Sequence, residues 1–342
     1  VDLINGANTL GDQAGDRIAK GLLLSLQAIA NGQTTINVSG FSRGAVEAIV
    51  LTNELARVKK ALEDDLTSKT KRTLVEILKE TNSVPKFCFY GTPGSYTKDA
   101  LTSLLKGAST NSDEESLKEK LLVGMKKLEV HLFALDPVPG DDFKGLPVGW
   151  NEPTFYTLPP FVTKKLELVQ QHETSNCFTA IIPKEMPYEV IPGCHGTGDG
   201  NQFDDNGKPI DATKTDVSGV QDLVVQRWLE FMLLTVDQQK IEELKGTVVP
   251  VHDALNNVVL TYLQADAKQR DQLLLETYQK IQQNYPAFLF LAGRCYNGLG
   301  QFLPERHVHY GQHGSIPIGD IHSHKGDGEF INTQHVQLWI AQ

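Results

Sequence analysis

Three residues in this sequence have the types and the order that acyl-transfer chemistry needs: Ser42, Asp136 and His195. Ser42 lies in Gly40-Phe41-Ser42-Arg43-Gly44, which fits the pattern G-x-S-x-G. A serine hydroxyl is a weak nucleophile until a base takes its proton, and that base needs a third group to orient it. His195 sits in the glycine-rich run Pro192-Gly193-Cys194-His195-Gly196-Thr197-Gly198-Asp199-Gly200 and is read as the base. His172, in His172-Glu173-Thr174, is the alternative base. Asp136 closes the apolar run Leu128–Leu135 and precedes Pro137-Val138-Pro139-Gly140. It is read as the orienting acid, with an Asx-Pro turn as the plainer reading. The main-chain N–H of Arg43 would form half of an oxyanion hole, and Gly6 or Ala7 would supply the other donor. A plain surface turn stands beside the reading of Gly6 and Ala7, and an ordinary helix cap beside that of Ser42.

These residues need elements that hold them. Thr34–Ser39 reads as a short strand and Ala45–Leu55 as a helix, so Ser42 would ride the sharp turn of a nucleophile elbow. Gly40 and Gly44 are expected to keep side chains away where strand and helix nearly touch. Leu128–Leu135 reads as a buried strand, and Tyr188–Ile191 as a strand that delivers the His195 loop. The order Ser, Asp, His and the strand-elbow-helix pattern predict an α/β fold of the α/β-hydrolase kind, a mostly parallel sheet flanked by helices. Asp12–Ala30 reads as an amphipathic helix. Strands are also expected at Lys86–Tyr90 and Cys177–Ile182. Residues 61–127 and 141–165 read as insertions in a core spanning 1–210, the second being a lid or a loop pinned by its aromatics. Asp216–Leu244 and His252–Tyr285 read as two long helices of a C-terminal helical cap or appendage, 211–342.

Composition narrows the partners. The 342 residues carry a formal net charge of −10, which argues against nucleic acid and against a basic membrane-binding face. A single lipid entering a neutral pocket remains compatible with that charge. Cys88, Cys177, Cys194 and Cys295 are dispersed, so free thiols in a reducing compartment are expected. No apolar run reaches the ~20 residues of a membrane span, and no signal peptide is read at the start. The chain begins at Val1 rather than Met, which leaves further sequence upstream open. The tail carries six of the ten histidines: His307, His309, His313, His322, His324 and His335. Their HVH and HSH spacing would suit a metal on an extended strand. Surface histidines are the plainer reading, and the triad chemistry requires no metal and no cofactor.

GFSRGA at Gly40–Ala45, HLFALDPVPG at His131–Gly140 and PGCHGTGDG at Pro192–Gly200 resemble a bacterial and fungal α/β-hydrolase family that carries the GFSRGA elbow. That family includes the family-one lipase effectors of type VI secretion. The resemblance covers roughly residues 1–205. It departs at Thr197, where the family has Asp two residues after its His, and at Gly198-Asp199-Gly200, which replaces Val-Gly-Gly. The resemblance implies a serine esterase, often a phospholipase A, with a lipid or small ester as substrate. The acidic composition and histidine-rich tail are also similar to those of secreted effectors of intracellular bacteria, so the expected location is the cytoplasm or, after secretion, a host cytoplasm, with transient membrane contact. The competing reading is a retired hydrolase fold that binds a protein partner through its helical appendage. A third is a metal-dependent hydrolase using the tail histidines.

Overall fold

The computed structural model describes residues 4, 14–79, 114–139, 155–198, 219–235, 253–283, 303–311 and 315–320. They pack as two units. The first comprises 1–165, 181–185 and 310–313, and the second 166–180, 186–309 and 314–342, a division that runs through a strand.

In the first unit, α1 (Ala14–Ala30) buries Ile18, Leu22, Leu23, Leu26 and Ile29 along one stripe. That i, i+4 spacing makes the segment helical, and its buried face is the reason the helix holds. α1 packs on α2 (Arg43–Thr67) and on α4 (Glu114–Lys126). A short helix, α3 (Leu74–Lys79), follows α2. The charged stretch after the elbow is therefore helical in two pieces, broken between Thr67 and Leu74. β1 (Thr35–Phe41) and β2 (Glu129–Leu135) run parallel in the register Thr35↔Glu129 to Phe41↔Leu135. β2 buries every residue after Glu129, as a run of apolar residues in a parallel sheet should. The one polar member, His131, is satisfied across the pair: its Nδ1 and Asn37 Oδ1 lie 2.9 Å apart.

β3 (Val162–Gln170) neighbours β2 in the first unit, where Val130 N–H donates to Phe161 O at 2.8 Å. Its last five residues belong to the second unit, where Glu167–Gln170 pair in parallel with Tyr188–Ile191 of β5 (Tyr188–Ile191). The architecture is thus α/β, with parallel strand pairing and flanking helices. The expected strand Cys177–Ile182 is instead a 3₁₀ turn, Asn176–Phe178, followed by the short β4 (Ala180–Ile182). Ser175 Oγ accepts Cys177 N–H at 3.1 Å and starts that turn, a local competition with extended backbone.

The second unit carries α5 (Gly219–Thr235), α6 (Asp253–Gln264) and α7 (Ala267–Gln283). α5 packs on both of the others. Arg227 of α5 forms a buried two-pronged ion pair with Glu189 of β5, one prong 2.9 Å long, which ties the helix to the strand. The expected single helix over His252–Tyr285 is split. Asp266 Oδ1 accepts Gln269 N–H and Gln269 Oε1 accepts Asp266 N–H, both at 2.8 Å, a reciprocal cap that starts a new helix. β6 (His307–Tyr310) and β7 (Ser315–Pro317) pair antiparallel, so HVH does lie on a strand. No helix among the described residues is long and apolar enough to cross a membrane.

Candidate active site

The turn between β1 and α2 is strained. Ser42 has φ 54° and ψ −125°, a conformation that L-residues rarely adopt. Ser42 occupies the N-cap position of α2, and its hydroxyl makes no capping hydrogen bond to that helix. Ser42 N–H donates to Leu135 O at 2.9 Å, which ties the turn to the end of β2. Arg43 is the first residue of α2, so its N–H has no carbonyl to bond within the helix. Gly40 shows why the elbow requires glycine. A Cβ there would lie 2.3 Å from Gly44 O and 2.6 Å from Ala45 N, inside the backbone of the helix. The expectation for Gly44 is corrected: a Cβ at that position would meet nothing within 4 Å. The close approach is one-sided, Gly40 yielding to the main chain of Gly44.

Asp136 is the second strained residue. It is fully buried, ends β2 and has φ 42°, although a residue before proline is normally pushed to extended backbone. Ser42 and Asp136 are the only non-glycine residues with positive φ among those described. They stand at the same end of two adjacent parallel strands. Beyond Asp136 the loop is held by Ile181 N–H to Pro137 O at 2.8 Å and by Arg43 Nε to Pro139 O at 3.5 Å.

One turn into α2 lies Glu47, only 7 % exposed, which the sequence reading did not single out. Burial pushes its carboxyl up from 4.5 to about 7, held back by the charges of Arg43 and Arg17. The folded value exceeds the unfolded one, so the stability it contributes is full below about 4.5 and lost as pH rises through about 7. Glu47→Gln is therefore expected to stabilise the protein by about 1–3 kcal/mol at pH 8 and not at pH 4, from about 1.4 kcal/mol per pK unit. Denaturant unfolding at the two pH values reads this, and equal effects at both would refute the assignment.

The two candidate bases, His172 and His195, belong to the second unit. His195 is 8 % exposed, and its ring stacks on Phe178 with centroids 4.7 Å apart. The loop that carries it is well fastened. Gly193 takes φ 106°, and a Cβ there would lie 3.1 Å from both Thr197 Cβ and Val220 Cγ1. Cys194 N–H donates to Thr197 Oγ1 at 3.1 Å, and Thr197 N–H returns to Cys194 O at 2.8 Å. Thr197 is thus a loop fastener. Burial pulls the His172 imidazole below its ordinary value. Glu173, 5 % exposed, has its carboxyl pushed up by burial, opposed by Arg306, the Ser175 N–H and His195. Glu173 and Arg306 went unseen in the sequence.

Gly6, Ala7 and Asp199 lie outside the described residues, as do the expected strand Lys86–Tyr90, His313, His322, His324 and His335. So does most of the expected lid; its described end is pinned by buried Phe155 and Tyr156. Cys177 and Cys194 are buried thiols outside any disulfide. Among the described residues no three His, Cys, Asp or Glu are grouped to hold a metal ion. Comparison with protein families, with curated proteins and with solved structures finds no match to this chain.

Proposed function

We propose that this chain is a serine hydrolase acting on carboxylic esters, with lipids, phospholipids among them, as the substrate class. One observation carries the reading. Ser42 and Asp136, picked from the sequence on unrelated grounds, are the two strained non-glycine residues among those described, at the ends of neighbouring parallel strands. Strain of about 1–3 kcal/mol per residue gathers where a site must be held in place. The nucleophile reading explains it, because the strained turn is what lifts a serine hydroxyl clear of the sheet.

In the proposed cycle Ser42 Oγ attacks the acyl carbonyl carbon while His195 takes its proton. Asp136 holds the imidazole tautomer and stabilises the imidazolium. Arg43 N–H, with Gly6 or Ala7, binds the oxyanion. Collapse breaks the ester bond, and His195 protonates the departing alcohol. Water then attacks the acyl-serine, giving its proton to His195; the bond to Ser42 Oγ breaks, His195 returns the proton to that oxygen, and the acid leaves. The same reading carries the α/β-hydrolase assignment and the resemblance to lipase effectors, with transient contact at a lipid surface.

A fluorophosphonate probe tests it. The expected result is a single adduct on Ser42, located by peptide mass. A folded protein that takes no adduct, with or without detergent micelles to open a lid, would instead support the retired, partner-binding fold.

A further inference from the structure

His172 and Glu173 hold the main chain of the His195 loop on both sides of Cys194. His172 pairs reciprocally with Gly193: its N–H donates to Gly193 O at 2.9 Å, and Gly193 N–H donates to His172 Nδ1 at 2.8 Å. A ring nitrogen that accepts an N–H carries no proton, so the proton of the neutral ring is on Nε2. To act as a base through Nδ1, His172 would have to release Gly193. Through Nε2 it would have to accept a proton where one already sits. Its chemistry here is that of an acceptor with a fixed tautomer.

Glu173 repeats the device on the other side of Cys194. Its Oε1 accepts Ser175 N–H at 2.9 Å, and its Oε2 accepts His195 N–H at 3.2 Å. Glutamine in its place has one carbonyl oxygen for two donors and turns an NH₂ on the other. The segment is anchored in turn by Arg306, 2 % exposed, whose Nη1 donates to Phe178 O at 2.6 Å, and Phe178 is the residue whose ring stacks on His195.

We propose that His172 and Glu173 are positioning residues for His195: Nδ1 of His172 fixes Gly193, the Glu173 carboxylate fixes the His195 amide, and the imidazole is thereby aimed. The role of His195 rests on the hydrolase reading above; the fastening does not. A displacement of about 1 Å in a reacting group costs about 10²-fold in rate, so small loosening of this loop matters.

Two measurements test the proposal. The first is the His172 tautomer by ¹⁵N-imidazole NMR of the wild-type protein near pH 7, which needs no turnover. A single species protonated at Nε2 is expected; a tautomer mixture or a proton on Nδ1 overturns the proposal. The second is kinetic, on variants whose thermal melting shows them folded. His172→Asn retains an acceptor near the Nδ1 position and should keep kcat for a short soluble ester within about threefold. His172→Leu and Glu173→Gln should lose about ten- to a hundredfold in kcat with little change in KM. Equal losses in His172→Asn and His172→Leu would make His172 the base and sink the assignment. If the wild type turns over no ester at all, the hydrolase reading falls, and the tautomer still decides the fastening.

Discussion

Ser42→Ala should lower ester turnover by about 10⁴- to 10⁶-fold, the loss expected when a triad nucleophile is removed and only binding and the oxyanion donors remain. The comparison with Ser42→Gly makes the experiment more informative. Alanine deletes the hydroxyl and keeps the Cβ, so it inherits the strain at φ 54° and ψ −125°. Glycine deletes both and adopts positive φ freely. Both variants should be inactive, while Ser42→Gly should be more stable than Ser42→Ala by about 0.5–2 kcal/mol, the released strain less the entropy of a glycine in the unfolded chain. Denaturant unfolding of the pair measures the gap. Retained turnover in Ser42→Ala would end the nucleophile assignment, and an unstable Ser42→Gly would end the strain argument.

Gly40→Ala carries the largest expected effect on folding. Its Cβ would sit 2.3 Å from Gly44 O and 2.4 Å from Gly44 C, and these are main-chain atoms with no rotamer to escape into. The helix must separate from the strand or the strand from its partner, at a cost of at least about 3 kcal/mol. Gly44→Ala is the matched control, since nothing lies within 4 Å of its added methyl. There the change should be small or favourable, with up to about 1 kcal/mol of helix propensity to gain. Unfolding midpoints of the two variants should differ widely. Similar midpoints would show that the elbow gives way more easily than its geometry implies.

How much of this could be read in advance follows from where each signal resides. The apolar spacing of α1 and the run 130–135 of β2, apolar but for His131, are local, and they identify those elements directly. β3 escaped because its buried stretch includes Glu167 and Gln170, both fully buried on opposite faces of the strand, which break the apolar run expected of a parallel strand. The break between α6 and α7 was legible: Asp266 and Gln269 stand three apart, the spacing of a reciprocal cap, inside a stretch whose apolar period ran straight on. Ser42 and Asp136 emerged from a motif and a strand end. The fastening of the His195 loop did not, because its partners are distant in sequence. Glu173 lies 22 residues from the amide it holds, and Arg306 lies 128 residues from the Phe178 carbonyl it bonds. Nothing in a local pattern marks such a pair. Glu47 was hidden differently, as a charged residue at a helical position that chemistry alone would leave in solvent.

The strained turn at Ser42 is tied to the end of a strand that the ribosome makes much later. Asn37 and His131, partners across β1 and β2, are 94 residues apart. At about 5–20 residues per second, the first strand waits about 5–20 s for the second. Closing so long a loop costs roughly 4 kcal/mol of chain entropy before any contact repays it. Until Leu135 arrives to accept the Ser42 amide, nothing in that pairing holds the serine in its costly conformation. On this account the elbow is armed late in synthesis, and a chain released before β2 carries the motif without its geometry.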